Sequence, residues 1–358
     1  MNIAVVFGGS SVEHEISILT GMQIIAALNK TKYNYIPIYL TKNNVFTTGK
    51  DFDKVETFKN NNVKMQEVFF TRHGLKKGFK TISIDAVICA VHGRGLEGGE
   101  LAGFFEILDI PYTSCEVLEA SVAQDKITMK KILSYEGLPT VNFVGFTNSE
   151  WKGMRQEIIR KCNDLSYPLI VKPATLGSSI GIERIEKADE LVNKVAKAFR
   201  FDERVIVEEV ITKMREFNCA IINDDIPSAI EEVITENAIL TFSDKYEESQ
   251  SKRIIPAQIE ENLKKDIVKL TKKVARILNN KGVIRIDYIY DLDKEMLLIN
   301  EINTIPGSLA YYLYEDTGLF FDELLDKLIE NAVKYKYLKY QKINSFKSNV
   351  LNMKGIKK

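Results

Sequence analysis

Two acidic residues and one amide stand close together in the last third of the sequence. Asp287 lies in an alternating, strand-like run, and Glu301 and Asn303 follow a second apolar run. The turn-type residues between the runs predict a β-hairpin, and alternation along a strand puts Glu301 and Asn303 on one face. A hairpin would bring Asp287 to the same face. Oxygen ligands of this kind, beside a cationic Arg285, suit Mg²⁺ that also binds phosphate, although a polar-faced edge hairpin is the alternative.

A second segment is typical of a phosphate-binding loop. An apolar run leads to Lys172, and the small residues that follow include Ser178 and Ser179. Backbone N–H groups and hydroxyls of such a loop can surround phosphate oxygens while a lysine neutralises them. Alone, the segment is equally consistent with a surface turn. The neighbouring metal prediction favours a nucleotide, because Mg²⁺ in such sites usually arrives with one.

Acidic residues also end the hydrophobic run 205–207. Glu208 and Glu209 follow it directly. The apolar side chains could pack against an adenine ring while the acidic residues form hydrogen bonds to its edge. The alternative is an ordinary exposed strand end.

One glycine-rich segment resembles a dinucleotide fingerprint. Residues 93–98 fit Gly-x-Gly-x-x-Gly between a strand and a helix, with Glu116 roughly 20 residues further on. The segment is not in the first β-α-β unit, and other residues already account for phosphate binding. We therefore do not predict nicotinamide chemistry.

The composition indicates a globular protein of two or three domains. The 358 residues are 45% hydrophobic and 27% charged, which allows a large buried core. The 49 basic and 49 acidic residues balance, so no overall field favours nucleic acid or a membrane surface. Residues 334–358 carry eight lysines and no acid. They predict a solvated terminal segment, and a basic binding arm is the alternative.

Cysteine spacing and hydropathy predict a cytoplasmic protein without a membrane segment. No pair among the cysteines has metal-ligand or redox spacing, so reduced thiols are expected at Cys89, Cys115, Cys162 and Cys219. The first residues run into a strand without a basic leader. No apolar run approaches the length of about 18 residues that a membrane helix needs.

The order of strand and helix patterns predicts an α/β protein whose C-terminal part is α+β. Residues 1–120 begin β-loop-α-β, which is typical of an open parallel sheet, and include a small β insertion at 43–82. A central part at 121–211 and a C-terminal part at 212–358 follow. The buried side of the first helix is predicted to hold Leu19, Met22, Ile25, Ala26 and Leu28.

Taken together, these segments resemble the D-alanine–D-alanine ligases of the ATP-grasp superfamily. The resemblance covers about residues 3 to 333. It rests on motifs in the family's order at residues 7–17, 92–97, 125–126, 171–181, 245–246, 255–257, 285–287 and 300–307. It implies three domains, with ATP held between the second and the third.

The resemblance also implies a reaction in two steps. The carboxylate of a first D-alanine attacks the γ-phosphate of ATP and gives an acyl phosphate. The amine of a second D-amino acid then displaces phosphate and forms the peptide bond. Phosphoryl transfer of this kind depends on charge neutralisation and alignment more than on covalent help. The product would be D-alanyl-D-alanine for peptidoglycan, and relatives are usually homodimers.

Nucleotide and metal contacts follow from the same resemblance. Lys126 and Lys172 would contact the α- and β-phosphates, and Lys245 the γ-phosphate. Asp287, Glu301 and Asn303 would bind two Mg²⁺ ions, which Mn²⁺ could replace. The nucleotide set as a whole is Lys126, Lys172, Ser179, Glu208, Glu209, Glu216 and Lys245, with Glu208 and Glu216 at the adenine and ribose.

Substrate contacts are implied as well. Arg285 and the backbone N–H of Gly307 would stabilise the oxyanion of the tetrahedral intermediate. Glu13 would bind the ammonium group of the first D-alanine, and Ser178 and Tyr246 would hydrogen-bond to Glu13 and close the site. Glu13 is otherwise an acid that favours a helix N-terminus.

His92 would lie near the carboxylate of the first substrate, with Glu97 behind it. The family's usual Gly-Glu-Asp-Gly appears here as residues 96–99, which retain the glutamate and lose the aspartate. The alternative for His92 is a loop histidine whose hydrogen bonds are satisfied within the protein.

The residues after Gly307 depart from the family. Where the family commonly has a serine that holds the carboxylate of the second substrate, this chain has Tyr312. Its hydroxyl can also donate but lies farther from the backbone. Two alternatives therefore stay open, a different acceptor such as D-serine and a non-catalytic nucleotide-binding relative. The retained Lys245 and Tyr246 favour an amine acceptor.

Overall fold

The computed structural model describes residues 1–59, 64–234, 252–343 and 345–348. In that part of the chain, helices flank four β-sheets. Lys245 and Tyr246 lie outside the described residues, as does most of the polar loop noted at 235–253. No helix in the described ranges is both long and apolar enough to cross a membrane.

The N-terminal sheet is parallel at its centre and antiparallel at one edge. The parallel strands are β1 (Asn2–Gly8), β2 (Asn34–Leu40) and β8 (Ala86–Ala90), with β1 between the other two. The strands β3 (Phe46–Thr48) and β4 (Gln66–Glu67) extend it antiparallel beyond β2. The predicted open parallel sheet is therefore correct for the central strands. The edge differs because the short turn after β2 can only return the chain antiparallel.

The predicted β insertion at 43–82 also contains a helix. Besides β3 and β4, it forms α2 (Val55–Lys59) and a separate meander of β5 (Phe69–Thr71), β6 (Gly74–Lys77) and β7 (Lys80–Ile82). Its aromatic side chains Phe52 and Phe70 are buried in the core of the N-terminal sheet.

The first helix, α1 (His14–Leu28), packs between the N-terminal sheet and the last helix, α10 (Phe321–Tyr340). Its predicted buried side is partly wrong, because Leu19 is 48% exposed and Ala26 is exposed, while Ile18 and Ile24 are buried. Contact with both a sheet and a helix widens the buried face and rotates it away from Leu19.

The second sheet is antiparallel. Its strand order is β11 (Glu183–Ile185), β10 (Leu169–Pro173), β12 (Arg204–Glu209) and β9 (Phe143–Thr147). Its apolar face packs against α6 (Asn148–Gly153), α7 (Arg155–Asn163) and α8 (Leu191–Ala198). The helices that precede this sheet are α3 (Glu100–Leu108), α4 (Val117–Gln124) and α5 (Lys126–Tyr135).

The third sheet is also antiparallel, and it has one apolar face and one face that is polar where it borders the cavity described below. Its strand order is β15 (Lys252–Ile254), β14 (Ile226–Ile234), β13 (Met214–Ile222), β16 (Val283–Asp291) and β17 (Met296–Asn303). Phe217 in β13 and Tyr288 in β16 pack in one core with Ile267 and Val274 of α9 (Glu261–Ile277). Because side chains alternate along a strand, the residues next to Phe217 in β13, and also Asp287 in β16, point to the opposite face of the sheet.

Candidate active site

A cavity of about 440 Å³ lies where the three larger sheets meet. It takes residues from α1, from the loop after β10 and from the polar face of the third sheet. Every sequence-predicted site residue within the described ranges lines this cavity: Glu13, His92, Lys126, Lys172, Ser178, Ser179, Glu208, Glu209, Glu216, Arg285, Asp287, Glu301, Asn303 and Gly307. Residues that are up to 294 positions apart in the sequence (13 to 307) are therefore brought together in one place.

The hairpin of β16 and β17 forms one wall of the cavity and confirms the predicted hairpin. Asp287 pairs with Glu301, and Arg285 pairs with Asn303, so all four side chains share a face. The carboxylate of Asp287 accepts hydrogen bonds from Arg285 Nε at 2.7 Å and Nη2 at 2.8 Å, and from Asn303 Nδ2 at 3.1 Å. A β-bulge follows Asp287 and shifts the register of the residues beyond it.

The donor atoms on this face fit a hard divalent metal that is also bound by phosphate. Glu301 and Asp287 contribute carboxylates, and Asn303, whose amide nitrogen bonds to Asp287, has its carbonyl oxygen available as a ligand. Across the described ranges, no three His, Cys, Asp or Glu side chains cluster as a metal site. Two carboxylates and one amide form a partial set, as expected where phosphate oxygens and water complete the coordination of Mg²⁺.

A buried carboxylate between two lysines also lines the cavity. Glu208 is 2% exposed, and its two oxygens lie 2.8 Å from Lys130 Nζ and 2.7 Å from Lys172 Nζ. Burial alone would raise the pKa of Glu208, but the two lysines outweigh it and lower that pKa to about 2. Burial also lowers the pKa of Lys130, which is fully buried. The carboxylate therefore stays charged and orients Lys172 toward the cavity.

Sequence reasoning missed Lys130. It lies four residues after Lys126 on α5, so both side chains share a helix face. That spacing was a usable signal, but a lysine in a helix ordinarily indicates solvent exposure. Only the packing of α5 against the second sheet shows that Lys130 is buried.

Lys126 contacts the loop after β10, and both line the cavity. Lys126 Nζ donates to the carbonyl oxygen of Leu176 at 2.7 Å and lies 3.8 Å from Glu301 Oε2. Ser178 and Ser179 both adopt left-handed backbone conformations, with φ of +52° and +59°. The Ser178 hydroxyl donates to Glu13 Oε1, so the loop of the second sheet contacts the start of α1. This hydrogen bond was implied by the family resemblance.

His92 is held by two hydrogen bonds within the protein. Its Nδ1 lies 2.8 Å from the carbonyl oxygen of Ile305, so this nitrogen carries the proton, and its Nε2 accepts from the Thr20 hydroxyl at 2.8 Å. Burial lowers the pKa of His92 to about 4. Both nitrogens are thus occupied by protein groups, and the neutral ring positions the segment that ends at Gly307.

Glu97 ties the glycine-rich segment to the same place. Its carboxylate accepts hydrogen bonds from the backbone N–H groups of Gly93 at 3.1 Å and Ile305 at 2.9 Å, and from the Thr304 hydroxyl at 3.3 Å. Burial and the nearby Glu13 carboxylate raise the pKa of Glu97 to about 7. Here the glycines that resemble a dinucleotide fingerprint form a turn that carries Glu97 to the 304–305 backbone.

The raised pKa of Glu97 gives a testable pH dependence of stability. From the ordinary pKa of 4.5 up to about 7, the folded protein binds more protons at Glu97 than the unfolded chain, so this group lowers stability as pH rises. We expect Glu97→Gln to gain stability relative to the wild type across that range, by about 3 kcal/mol. Urea unfolding at several pH values measures the difference. Glu100→Gln, an exposed position at the start of α3, is the control. A difference that does not change with pH would contradict the prediction.

Glu209 and Glu216 are the remaining predicted nucleotide-binding residues in the described ranges. Both carboxylate oxygens of Glu209 accept hydrogen bonds from the protein, one from Asn142 Nδ2 and one from the backbone N–H of Ser166, each at 3.0 Å. Glu216 lies in β13 opposite Val233 and Ile289, on the polar face that lines the cavity.

Comparison with known proteins agrees with the residues around the cavity. The sequence model described as D-ala D-ala ligase N-terminus matches residues 2–115, and that described as D-ala D-ala ligase C-terminus matches residues 132–330. The D-alanine–D-alanine ligase of Thermosipho africanus is 37% identical over 99% of both chains. That of Staphylococcus epidermidis is 34% identical over 92% of this chain and 94% of the relative.

Solved structures show the same fold. The VanG D-Ala:D-Ser ligase from Enterococcus faecalis superposes with a TM-score of 0.80 at 30% identity, covering 92% of this chain and 99% of that one. The D-alanine–D-alanine ligase from Coxiella burnetii gives a TM-score of 0.82 at 25% identity, covering 95% and 96%. Because sequence models, full-length relatives and ATP-grasp structures all agree, this chain is a ligase of the D-alanine–D-alanine ligase family.

Proposed function

We propose that the protein joins two D-alanine molecules into D-alanyl-D-alanine, converting ATP to ADP and phosphate through an acyl phosphate. One observation carries this proposal. The predicted ammonium-binding, phosphate-binding and metal-binding residues in the described ranges all line one cavity. Ligases of this family use ATP and a divalent metal in general, and the number of metal ions, two, is part of the proposal.

The second sheet and α5 would hold the nucleotide. Lys172 is oriented by Glu208 at 2.7 Å, and Lys126 projects from the first turn of α5 toward Glu301. We assign these lysines to the α- and β-phosphates and Lys245 to the γ-phosphate. Glu208 and Glu216 would bind the adenine and the ribose, and Ser179 and the main chain at Glu209 would complete the nucleotide site.

Asp287, Glu301 and Asn303 would hold the metal ions. A bound divalent metal supplies positive charge that neutralises phosphate oxygens and keeps them in a fixed geometry. Arg285 in β16 presents its guanidinium beside Asp287, and Gly307, which follows β17, lines the same cavity. These two donors would stabilise the negative oxygen that develops when the amine attacks the acyl carbon.

Glu13 would bind the ammonium group of the first D-alanine. Its carboxylate already accepts a hydrogen bond from Ser178, which fixes its orientation, and Tyr246 would add a second. Neutral His92 would lie near the carboxylate of that substrate. Its hydrogen bond to the carbonyl oxygen of Ile305 would hold this part of the backbone in place. The nucleophilic carboxylate would then face the phosphate-binding residues, as phosphoryl transfer requires.

The direct test is D-alanine-dependent release of ADP with ATP and Mg²⁺, with the product identified by mass spectrometry. D-alanyl-D-alanine as the main product is the expected result. Binding of ATP without turnover for any amino-acid pair would favour a non-catalytic relative instead.

A second candidate keeps the chemistry and changes the acceptor to D-serine. Tyr312 replaces the family's serine, and a D-Ala:D-Ser ligase is among the structural neighbours. Tyr312→Ser should shift the ratio of D-alanine to D-serine acceptor use by about tenfold or more while the KM for ATP changes little, because one changed contact in a substrate pocket has this size of effect. Competition between the two acceptors measures the ratio, and an unchanged ratio would count against the assignment of Tyr312 to the acceptor pocket.

We also propose a cellular location, an oligomeric state and a domain division for the protein. The reaction would take place in the cytoplasm and supply peptidoglycan precursors, and the protein would act as a homodimer with domains at 1–120, 121–211 and 212–358. Sedimentation velocity of the full chain tests the dimer. Nucleic acid is not a proposed partner, and removal of residues 334–358 should leave DNA affinity unchanged.

A further inference from the structure

We propose that Arg253 binds the carboxylate of the second amino acid and thereby selects acceptors that carry an α-carboxylate. The inference rests on the proposed ligase function and assigns a residue that the family motifs do not include. The substrate class it implies is an amino acid rather than a simple amine.

The register of the third sheet places Arg253 on the cavity face. Arg253 in β15 lies opposite Val233 in β14, and Val233 lies opposite Glu216 in β13. Residues directly opposite in an antiparallel pair point to the same side of the sheet. All three residues line the cavity, which agrees with this placement. Arg253 is 49% exposed at its side chain, so its guanidinium is accessible from the cavity.

Tyr312 already uses its hydroxyl proton on a protein group. Its hydroxyl donates to Glu231 Oε2 at 3.4 Å, and Asn218 Nδ2 donates to the same oxygen at 2.7 Å. Glu231 is fully buried, and a buried carboxylate needs such donors. A tyrosine has one O–H proton. The Tyr312 hydroxyl is therefore directed at Glu231, and we assign Tyr312 to the wall of the acceptor pocket.

Arg253 lies beside both Tyr312 and Glu231 at the cavity. Its guanidinium carbon is 5.7 Å from the centre of the Tyr312 ring, and its Nη1 lies 3.4 Å from Glu231 Oε1. An arginine has five N–H donors, so this one ion pair leaves donors for a bidentate contact with a carboxylate. The other arginine that lines the cavity near Tyr312, Arg285, already gives Nε and Nη2 to Asp287.

D-alaninamide provides a test, because without a free carboxylate it can serve as acceptor but not as donor. The enzyme is given ATP, Mg²⁺, D-alanine and D-alaninamide together. Mass spectrometry then gives the ratio of D-alanyl-D-alanine to D-alanyl-D-alaninamide. We expect Arg253→Met to lower that ratio about tenfold to a hundredfold, the range for loss of a charge-assisted hydrogen bond, and Arg253→Lys to retain part of it. Since both products come from the same folded molecules, a smaller folded fraction does not change the ratio.

The matched control is Arg215→Met. Arg215 lies in the same sheet and pairs with the buried Glu232, with Nε at 2.7 Å from Oε1, but it does not line the cavity. Its loss should leave the product ratio unchanged. An unchanged ratio in Arg253→Met would overturn the proposal, and so would a variant in which only the KM for ATP is raised. A lower ratio in Tyr312→Phe but not in Arg253→Met would overturn it as well.

The wild type separates failure of this inference from failure of the proposed function. If the wild type forms neither product, the ligase function itself fails. If the wild type forms both products and Arg253→Met does not change their ratio, only this inference fails.

Discussion

Glu301→Ala should lower kcat/KM for dipeptide formation by at least about a thousandfold, and Asp287→Ala should do the same. Each variant removes a carboxylate that would bind the metal, and the metal would neutralise the phosphate charge. The two residues are direct partners across β16 and β17. Glu301→Ala is the cleaner variant, since Asp287 also accepts two hydrogen bonds from Arg285. Release of ADP across a Mg²⁺ titration gives the activity. Calorimetry with ATP gives a second readout, in which the variants should lose the metal dependence of nucleotide binding.

Glu295→Gln provides the comparison for this pair. Glu295 is exposed in the turn of the same hairpin and does not line the cavity. It should keep wild-type activity and wild-type Mg²⁺ dependence. Normal Mg²⁺-dependent turnover in both Asp287→Ala and Glu301→Ala would refute the metal assignment.

Glu208→Gln should lower the free energy of unfolding by about 3–5 kcal/mol, because it leaves the positive charge of Lys130 buried without its counter-charge. Lys130→Met should cost less, since Glu208 still has Lys172 at 2.7 Å. The double variant Lys130→Met/Glu208→Gln should recover part of the loss, because it removes the unpaired charge. Urea unfolding of the wild type and the three variants gives the cycle.

The pKa of Glu208 adds a pH dependence to the same experiment. Because that pKa is lowered from 4.5 to about 2, the contribution of Glu208 to stability is full above pH 4.5 and is lost as pH falls toward 2. The difference between the wild type and Glu208→Gln should therefore narrow below pH 4.5. Equal losses at all pH values would mean that packing, and not charge, explains the effect.

Glu183 offers a matched control at the surface. It also pairs with two lysines, Lys194 and Lys197, but all three side chains are at least 25% exposed. Solvent screens such pairs, so Glu183→Gln should cost less than about 1 kcal/mol. A loss as large as that of Glu208→Gln would show that burial does not set the energy of the Lys–Glu–Lys arrangement.

Local patterns predicted the parts of the site that lie on one supersecondary unit. The β16–β17 hairpin follows from two alternating runs around a turn, and alternation alone puts Glu301 and Asn303 on one face. The predicted buried side of α1 was partly wrong, because it depends on contacts with segments that are distant in the chain. Which side of a helix is buried depends on what packs against it, and α10 comes from the far end of the chain.

Contacts between distant segments could be predicted only from the family resemblance. Glu13 and Ser178 are 165 residues apart, and no periodicity relates them. Their hydrogen bond was implied by the motifs and is present in the structure. The domain boundaries at 120 and 211 and the roles assigned to the site residues stay predictions.

The sequence by itself determined the fold class through residue type and local spacing, and it determined the family through motifs that resemble those of known ligases. Tertiary structure decided the state of individual side chains. It buried Lys130 beside Glu208, gave both nitrogens of His92 to Thr20 and Ile305, and engaged the Tyr312 hydroxyl with Glu231. Burial and hydrogen-bond partners arise from segments that are distant in the chain, so a side chain's charge, proton and free donors are set only when those segments pack together.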